Sequence, residues 1–265
     1  MKKFENKIAY VVGGSQGIGF AIAKQIVMEG GKVAIFARNL QNLEHAIIQL
    51  NSIINNNVYF ALDAKYFDDT INAFQQANSK IGTPDFVINC AGMARPEYFE
   101  NITFNQFEHT VKTNLYTTWN VSKAAIPLLK KTKGYLLNTS SIAGFLGVFG
   151  YSDYAMTKFG IVGFSETIQQ EVEKYGISVG VLYPPDTNTP GFDEENKTKP
   201  QETKIIGGSA KLLSADDVAK YTIMKIAKRK KMIIPGFDGK VTYLLKRFIP
   251  NVVNYILKNK IKGIG

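Results

Sequence analysis

Tyr154 and Lys158 stand four residues apart in Tyr154-Ala-Met-Thr-Lys158, a spacing that puts a phenol and an ammonium on one helix face, one turn apart. A cation beside a phenol stabilises phenolate and lowers its acidity constant from about 10. The pair therefore predicts a proton donor that works near neutral pH. Alone, the spacing is common and usually describes a surface tyrosine beside a lysine.

A second group of residues has phosphate chemistry. Gly13-Gly14-Ser15-Gln16-Gly17-Ile18-Gly19 follows an apolar run and opens an amphipathic one. Glycines in such a turn let backbone approach a pyrophosphate, and the N–H groups of the following helix face the phosphates. The spacing is G-x-x-x-G-x-G, not the commoner G-x-G-x-x-G. At the end of the next apolar run stands Phe36-Ala37-Arg38-Asn39, without the carboxylate that binds the ribose of NAD. Arg38 is suited to a 2′-phosphate, which predicts NADPH over NADH; the other reading is an arginine that begins a loop. Asp63 has two readings as well, an acceptor for the adenine amino group or a turn aspartate.

These residues need a scaffold, and the chain supplies one. Apolar runs at 7–12, 32–37, 58–62, 86–89, 135–139 and 178–183 read as buried strands. Stretches at 18–30, 40–54, 66–79, 104–129 and 154–175 have helical apolar spacing. The alternation predicts an α/β fold, a Rossmann-like doubly wound parallel sheet in a single domain over residues 1–239. After Tyr183 a Pro-rich loop and a polar stretch predict a substrate lid near residues 187–211. Ser214 predicts an N-cap for a helix reaching about residue 229, with a short last strand at 231–235.

At 265 residues with 45% hydrophobic and 20% charged side chains, the composition is that of one globular domain. One cysteine, Cys90, gives no disulfide framework and no zinc cluster; no metal site is expected, and a cytoplasmic location is. No secretory signal and no run of about 20 uncharged apolar residues is visible. His45 and His109 lie away from every motif and read as surface or packing residues.

With residues 13–19, Asn89-Cys90-Ala91-Gly92, Asn114, Ser141 and Tyr154-x-x-x-Lys158 in this order, the chain resembles the short-chain dehydrogenase/reductase family over roughly residues 7 to 235. Ser141 lies 13 positions before Tyr154, as the family's serine does. The loop from Tyr183 to Phe192 has Pro184-Pro185 where most of the family has Pro-Gly. With Glu194-Glu195-Asn196-Lys197-Thr198-Lys199-Pro200 and Glu202-Thr203, it resembles the 3-ketodihydrosphingosine (3-dehydrosphinganine) reductase subgroup. The resemblance implies that Tyr154 protonates a ketone oxygen as hydride arrives from the nicotinamide. It implies that Lys158 tunes the phenol and holds the nicotinamide ribose, that Ser141 steadies the developing oxyanion, and that Asn114 holds a relay water. It places Asn89, Ala91, Gly92, Pro184, Thr187 and Thr189 at the cofactor, with Gly13, Ser15, Gln16, Gly17, Ile18 and Gly19. The implied reaction is reduction of 3-ketosphinganine to sphinganine. Other long-chain ketones, β-ketoacyl or steroid-like, form the enzymatic alternative, and a non-catalytic nucleotide-sensing membrane scaffold the other class. For Asp186, attraction of the substrate's amine competes with an Asx-turn role.

The net charge of +10 is uneven: residues 1–195 carry 16 basic against 18 acidic side chains, residues 196–265 carry 16 against 4. Within 240–265, Leu244/Leu245, Phe248/Ile249, Val252/Val253 and Ile256/Leu257 form an apolar stripe edged by Lys246, Arg247, Lys258, Lys260 and Lys262. Such an amphipathic segment suits an anionic membrane surface, giving peripheral attachment on its cytoplasmic face. The alternatives are docking on a neighbouring subunit or on the protein's own core, with Pro250 kinking the helix or starting another. No base-reading module accompanies the charge, so nucleic acid is not expected. The family resemblance implies a homo-oligomer.

Overall fold

Seven short strands pair into one parallel sheet in the order β3-β2-β1-β4-β5-β6-β9. In this computed structural model, residues 2–208 and 212–263 are described; the last residues of the expected lid, 209–211, lie outside them. In chain order the elements are β1 (Ile8–Val12), α1 (Gly17–Met28), β2 (Lys32–Ala37), α2 (Leu40–Asn51), β3 (Val58–Ala61), α3 (Phe67–Ile81), β4 (Phe86–Asn89), α4 (Phe104–Val111) and α5 (Thr117–Thr132). Then follow β5 (Tyr135–Thr139), α6 (Ser152–Val172), β6 (Ser178–Leu182), β7 (Thr187–Asn188), α7 (Pro190–Asn196), α8 (Gln201–Gly207), β8 (Leu213–Ser214), α9 (Ala215–Ile226), β9 (Met232–Ile233), α10 (Phe237–Phe248) and α11 (Pro250–Lys260). β7 and β8 pair apart from the main sheet.

The strands are apolar at consecutive positions because both sheet faces are covered. On one face Ile22, Ile26, Leu43, Leu50, Ala219 and Ile223 from α1, α2 and α9 bury Val11, Ile35 and Ile88. On the other, Phe74, Val121, Leu129, Ile168 and Val172 from α3, α5 and α6 pack on Tyr10, Phe36 and Leu136. The chain crosses from β3 back to β4 beside β1, so the order reverses between β1 and β4 and a crevice opens beyond their C-terminal ends.

The expected helix over 104–129 is divided. Residues Lys112–Tyr116 form a π-helical turn between α4 and α5, a distortion that re-aims side chains at functional sites. The polar stretch expected as a lid contains α7 and α8, and Ser214 accepts from the Asp217 N–H at 3.0 Å at the start of α9. The basic segment after residue 240 is two helices, α10 and α11, broken at Pro250. Both pack back on the domain: the Tyr243 ring meets Phe145 edge-on at 5.2 Å, and Val253 is buried.

Candidate active site

Every strand end at the crevice delivers a motif. After β1, Gly13 has φ +75°, and a Cβ there would lie 2.8 Å from the Ala91 nitrogen. Gly19 lies against the carbonyl of Gly13, leaving no room for a side chain. The turn therefore closes tightly under a crevice of about 310 Å³. Gly13, Ser15, Gln16, Gly17, Ile18, Gly19, Arg38, Asp63, Ala91, Gly92 and Thr189 line it. Arg38 is exposed at its rim, whereas Asp63 is paired with Lys65 at 2.9 Å. Thr113, on the π-helical turn, also lines the crevice, and its buried hydroxyl has no hydrogen-bond partner. A glycine cradle, a basic rim and an orphaned hydroxyl fit a dinucleotide phosphate-and-ribose site.

Three residues expected at the cofactor have partners within the fold. Thr187 is buried in the β7–β8 pairing and donates to the Pro185 carbonyl at 2.7 Å. The Pro184 carbonyl accepts from the Ile142 N–H at 3.4 Å. Asn89 is buried, donating to Thr118 Oγ1 at 3.3 Å and accepting from the Ala91 N–H at 3.2 Å. None of the three lines the crevice.

β5 ends in two serines with different partners. Ser140 is buried and donates to the Lys158 carbonyl at 2.9 Å. Ser141 lines a separate cavity of about 600 Å³, together with Tyr154. It also accepts from the Ala143 N–H at 3.1 Å, capping a short 3₁₀ turn, Ile142–Gly144. Lys158 is buried, donates to the Thr139 carbonyl at 3.0 Å, and holds its ammonium 5.4 Å from the Tyr154 ring centroid. Asn114 is fully buried. Its Oδ1 accepts from the Met93 N–H at 2.9 Å, and its Nδ2 donates to the Met93 carbonyl and to Thr157 Oγ1, both at 3.0 Å. The side chain thus ties the π-helical turn to the loop after β4 and to α6, and its amide is already engaged.

Electrostatics depart from the expectation that Lys158 makes Tyr154 acidic. Burial raises the Tyr154 phenol, the charges of Glu195 and Asp186 raise it further, and only a hydrogen bond with Ser141 opposes them. Burial also lowers the Lys158 ammonium to about 8. Burial raises the Cys90 thiol to about 11, in keeping with a thiol that carries no chemistry.

The cavity holds residues that the spacing of motifs does not announce. Tyr151, one helical turn before Tyr154, packs its ring 5.5 Å from that of Tyr154 and donates to Glu195 of α7. Glu195 is paired with the buried Lys199 at 2.9 Å. Asp186 lines the same wall, its carboxyl raised by burial, lowered by Lys199 and raised by Glu195. Beyond these groups the lining is mostly apolar, with Leu146, Ile206, Leu213, Leu245, Val253 and Leu257, and Asp238, Thr242 and Lys260 stand among them.

Residues 7–200 match the short chain dehydrogenase family. The 3-ketodihydrosphingosine reductase of Bos taurus is 37% identical over 235 residues, covering 86% of this chain and 71% of the bovine protein. The 3-oxoacyl-[acyl-carrier-protein] reductase FabG of Chlamydia muridarum is 35% identical over 196 residues, covering 73% of this chain and 77% of that protein. A short chain dehydrogenase/reductase from Burkholderia phymatum, solved in complex with NAD, superposes with a TM-score of 0.84 over 95% of this chain and 96% of its own, at 19% identity, a likeness of fold. Fold, glycine turn, serine–tyrosine–lysine geometry and sequence relatives agree, and the chain belongs to the short-chain dehydrogenase family.

Proposed function

We propose that the chain reduces 3-ketosphinganine to sphinganine with NADPH, serving sphingolipid synthesis. The observation that carries this reading is the content of one cavity: Ser141 and Tyr154 beside the carboxylates Asp186 and Glu195, opening onto a mostly apolar remainder that includes Leu245, Val253 and Leu257. That sequence of groups is complementary to a ketone, the cationic amine next to it, and a hydrocarbon tail. Bound NADPH supplies hydride to the carbonyl carbon. Tyr154 gives the proton to the oxygen, and Ser141 donates to the same oxygen as charge develops. Lys158, held between the Thr139 carbonyl and the Tyr154 ring, stabilises the phenolate left behind. Asn114 positions this group by fastening Met93 and Thr157. Residues 13–19, Arg38 and Thr113 hold the nucleotide, with the rim arginine on the 2′-phosphate.

A β-ketoacyl substrate is the second reading, favoured by the likeness to the Chlamydia muridarum enzyme. The half-buried carboxylates Asp186 and Glu195 disfavour it, since an acyl thioester brings no cation to them.

The outer faces of α10 and α11 leave Leu244, Phe248, Val252 and Tyr255 exposed among their lysines, which supports a peripheral site on an anionic membrane. Among the described residues no helix is long and apolar enough to cross a membrane. Exposed Phe104, Tyr116, Trp119, Met156 and Phe159 on α4–α6 support pairing of two copies through these helices. Residues 1–239 then act as the catalytic domain, and 240–265 as the attachment segment. The test of the enzymatic reading is NADPH oxidation with 3-ketosphinganine beside a β-ketoacyl thioester. Turnover of the amino ketone alone supports it, and turnover of the thioester alone replaces it with the second reading.

A further inference from the structure

Resting on the substrate reading above, we propose that α10 and α11 are the wall of a hydrocarbon-chain site continuous with the catalytic pocket, and that Val253 sets the chain length it accepts. The apolar stripe of this segment was expected at an anionic membrane, on a neighbouring subunit or on the protein's own core, and residues of both helices line the cavity. Phe237, Asp238, Gly239, Thr242 and Leu245 of α10 line it, and so do Val253, Ile256, Leu257 and Lys260 of α11, at i, i+3, i+4 and i+7. Such spacing is one stripe of a helix. Off that stripe, Leu244, Val252 and Tyr255 are exposed. Each helix therefore divides its apolar residues between two faces, and the inner one needs an occupant.

The helices are anchored to catalytic and lid elements. A Cβ on Gly239 would lie 3.0 Å from Ile234 and 3.1 Å from Ile142, the residue after Ser141. Tyr243 packs on Phe145 at the end of the same 3₁₀ turn. At the far end, Lys260 donates to the Ile206 carbonyl of α8 at 3.4 Å. The trough between α8 and α11 is thus a fixed extension of the pocket holding Tyr154. A ketone whose oxygen meets Tyr154 and whose amine meets Asp186 and Glu195 sends its alkyl chain along Leu245, Val253 and Leu257. Val253, 6% exposed, is the most enclosed of these three.

Each methylene that leaves water for such a trough strengthens binding about fourfold. The experiment measures kcat/KM for 2-amino-1-hydroxy-3-ketones of graded length, from octyl to octadecyl, as dissolved monomers without vesicles. In the wild type, kcat/KM rises about fifteenfold per methylene pair to a plateau, through KM and not kcat. Val253→Phe brings the plateau to shorter chains and Val253→Ala moves it to longer ones. Leu257→Phe repeats the shortening should Val253→Phe not fold, as judged by thermal melting and NADPH affinity. A merely structural role would scale all chain lengths together, and that outcome, or a flat wild-type series, overturns the proposal. Calorimetry with n-alkylamines of the same lengths reads the trough without turnover. If no ketone is reduced but amine affinity climbs with length and Val253→Phe caps it, the substrate reading fails and the trough stands. If affinity is flat, the trough falls.

Discussion

At the residue scale, the pocket is a contest between burial and charge. Lys158 is held in a site that lowers its ammonium to about 8, from an unfolded value near 10.4. A folded pKa below the unfolded one means that the charged form costs stability, fully so below about pH 8. That cost is relieved as pH rises from 8 toward 10.5. The stability of wild type relative to Lys158→Met should therefore improve by roughly 3 kcal/mol across that window, read from urea unfolding at pH 7, 9 and 10.5. A flat difference would mean that the folded ammonium is well solvated and titrates as it does in the unfolded chain. Arg38 is tested by coenzyme choice: Arg38→Asp should lower kcat/KM for NADPH at least tenfold and leave or improve that for NADH, and an unchanged ratio would remove the 2′-phosphate assignment. Tyr154, Lys158, Ser141 and the glycines were legible in the sequence because their spacing along the chain fixes their relation. The direction of the tyrosine's shift was not, because burial and Glu195, contributed by α7, decide it.

At the element scale, α7 brings Glu195 against Tyr151, and Lys199 follows on the lid to close the pair. Nothing in local spacing marks that meeting: it depends on how the chain folds back after the Pro184-Pro185 loop. The alternating strands and helices were readable, since one sheet covered on both faces imposes continuous apolar runs. The π-helical turn was not, because its apolar pattern continues that of α4 and α5. Glu195→Gln should remove a charge that raises the Tyr154 phenol, so the tyrosine deprotonates at lower pH. The alkaline limb of kcat/KM then moves down, and KM for the amino ketone rises more than that for a ketone without the amine. Equal KM changes for the two ketones would show that Glu195 only holds the lid together.

At the scale of the whole molecule, charge is segregated. Residues 196–265 carry the positive excess, yet the pocket they help to line has the carboxylates Asp186, Glu195 and Asp238, with Lys260 as the lining's cation among the described residues and Lys199 behind Glu195. An amino ketone suits that interior and an anionic membrane the exterior. The amphipathic tail was visible as a stripe, but its division between an inner and an outer face depends on the trough beneath it. The exposed ring of Trp119, tilted against Phe164 on α6 at 5.6 Å, marks the face proposed for pairing of two copies. Trp119→Glu should convert a dimer into a folded monomer by light scattering, and an unchanged mass would place the contact elsewhere.

The central claim is that the phenol of Tyr154 protonates the ketone of a long-chain amino ketone. Its most direct measurement is single-turnover oxidation of enzyme-bound NADPH by 3-ketosphinganine in wild type and Tyr154→Phe. The account predicts a loss of about 10²–10⁴ in rate with NADPH affinity within a few-fold of wild type. Undiminished turnover by Tyr154→Phe would contradict it.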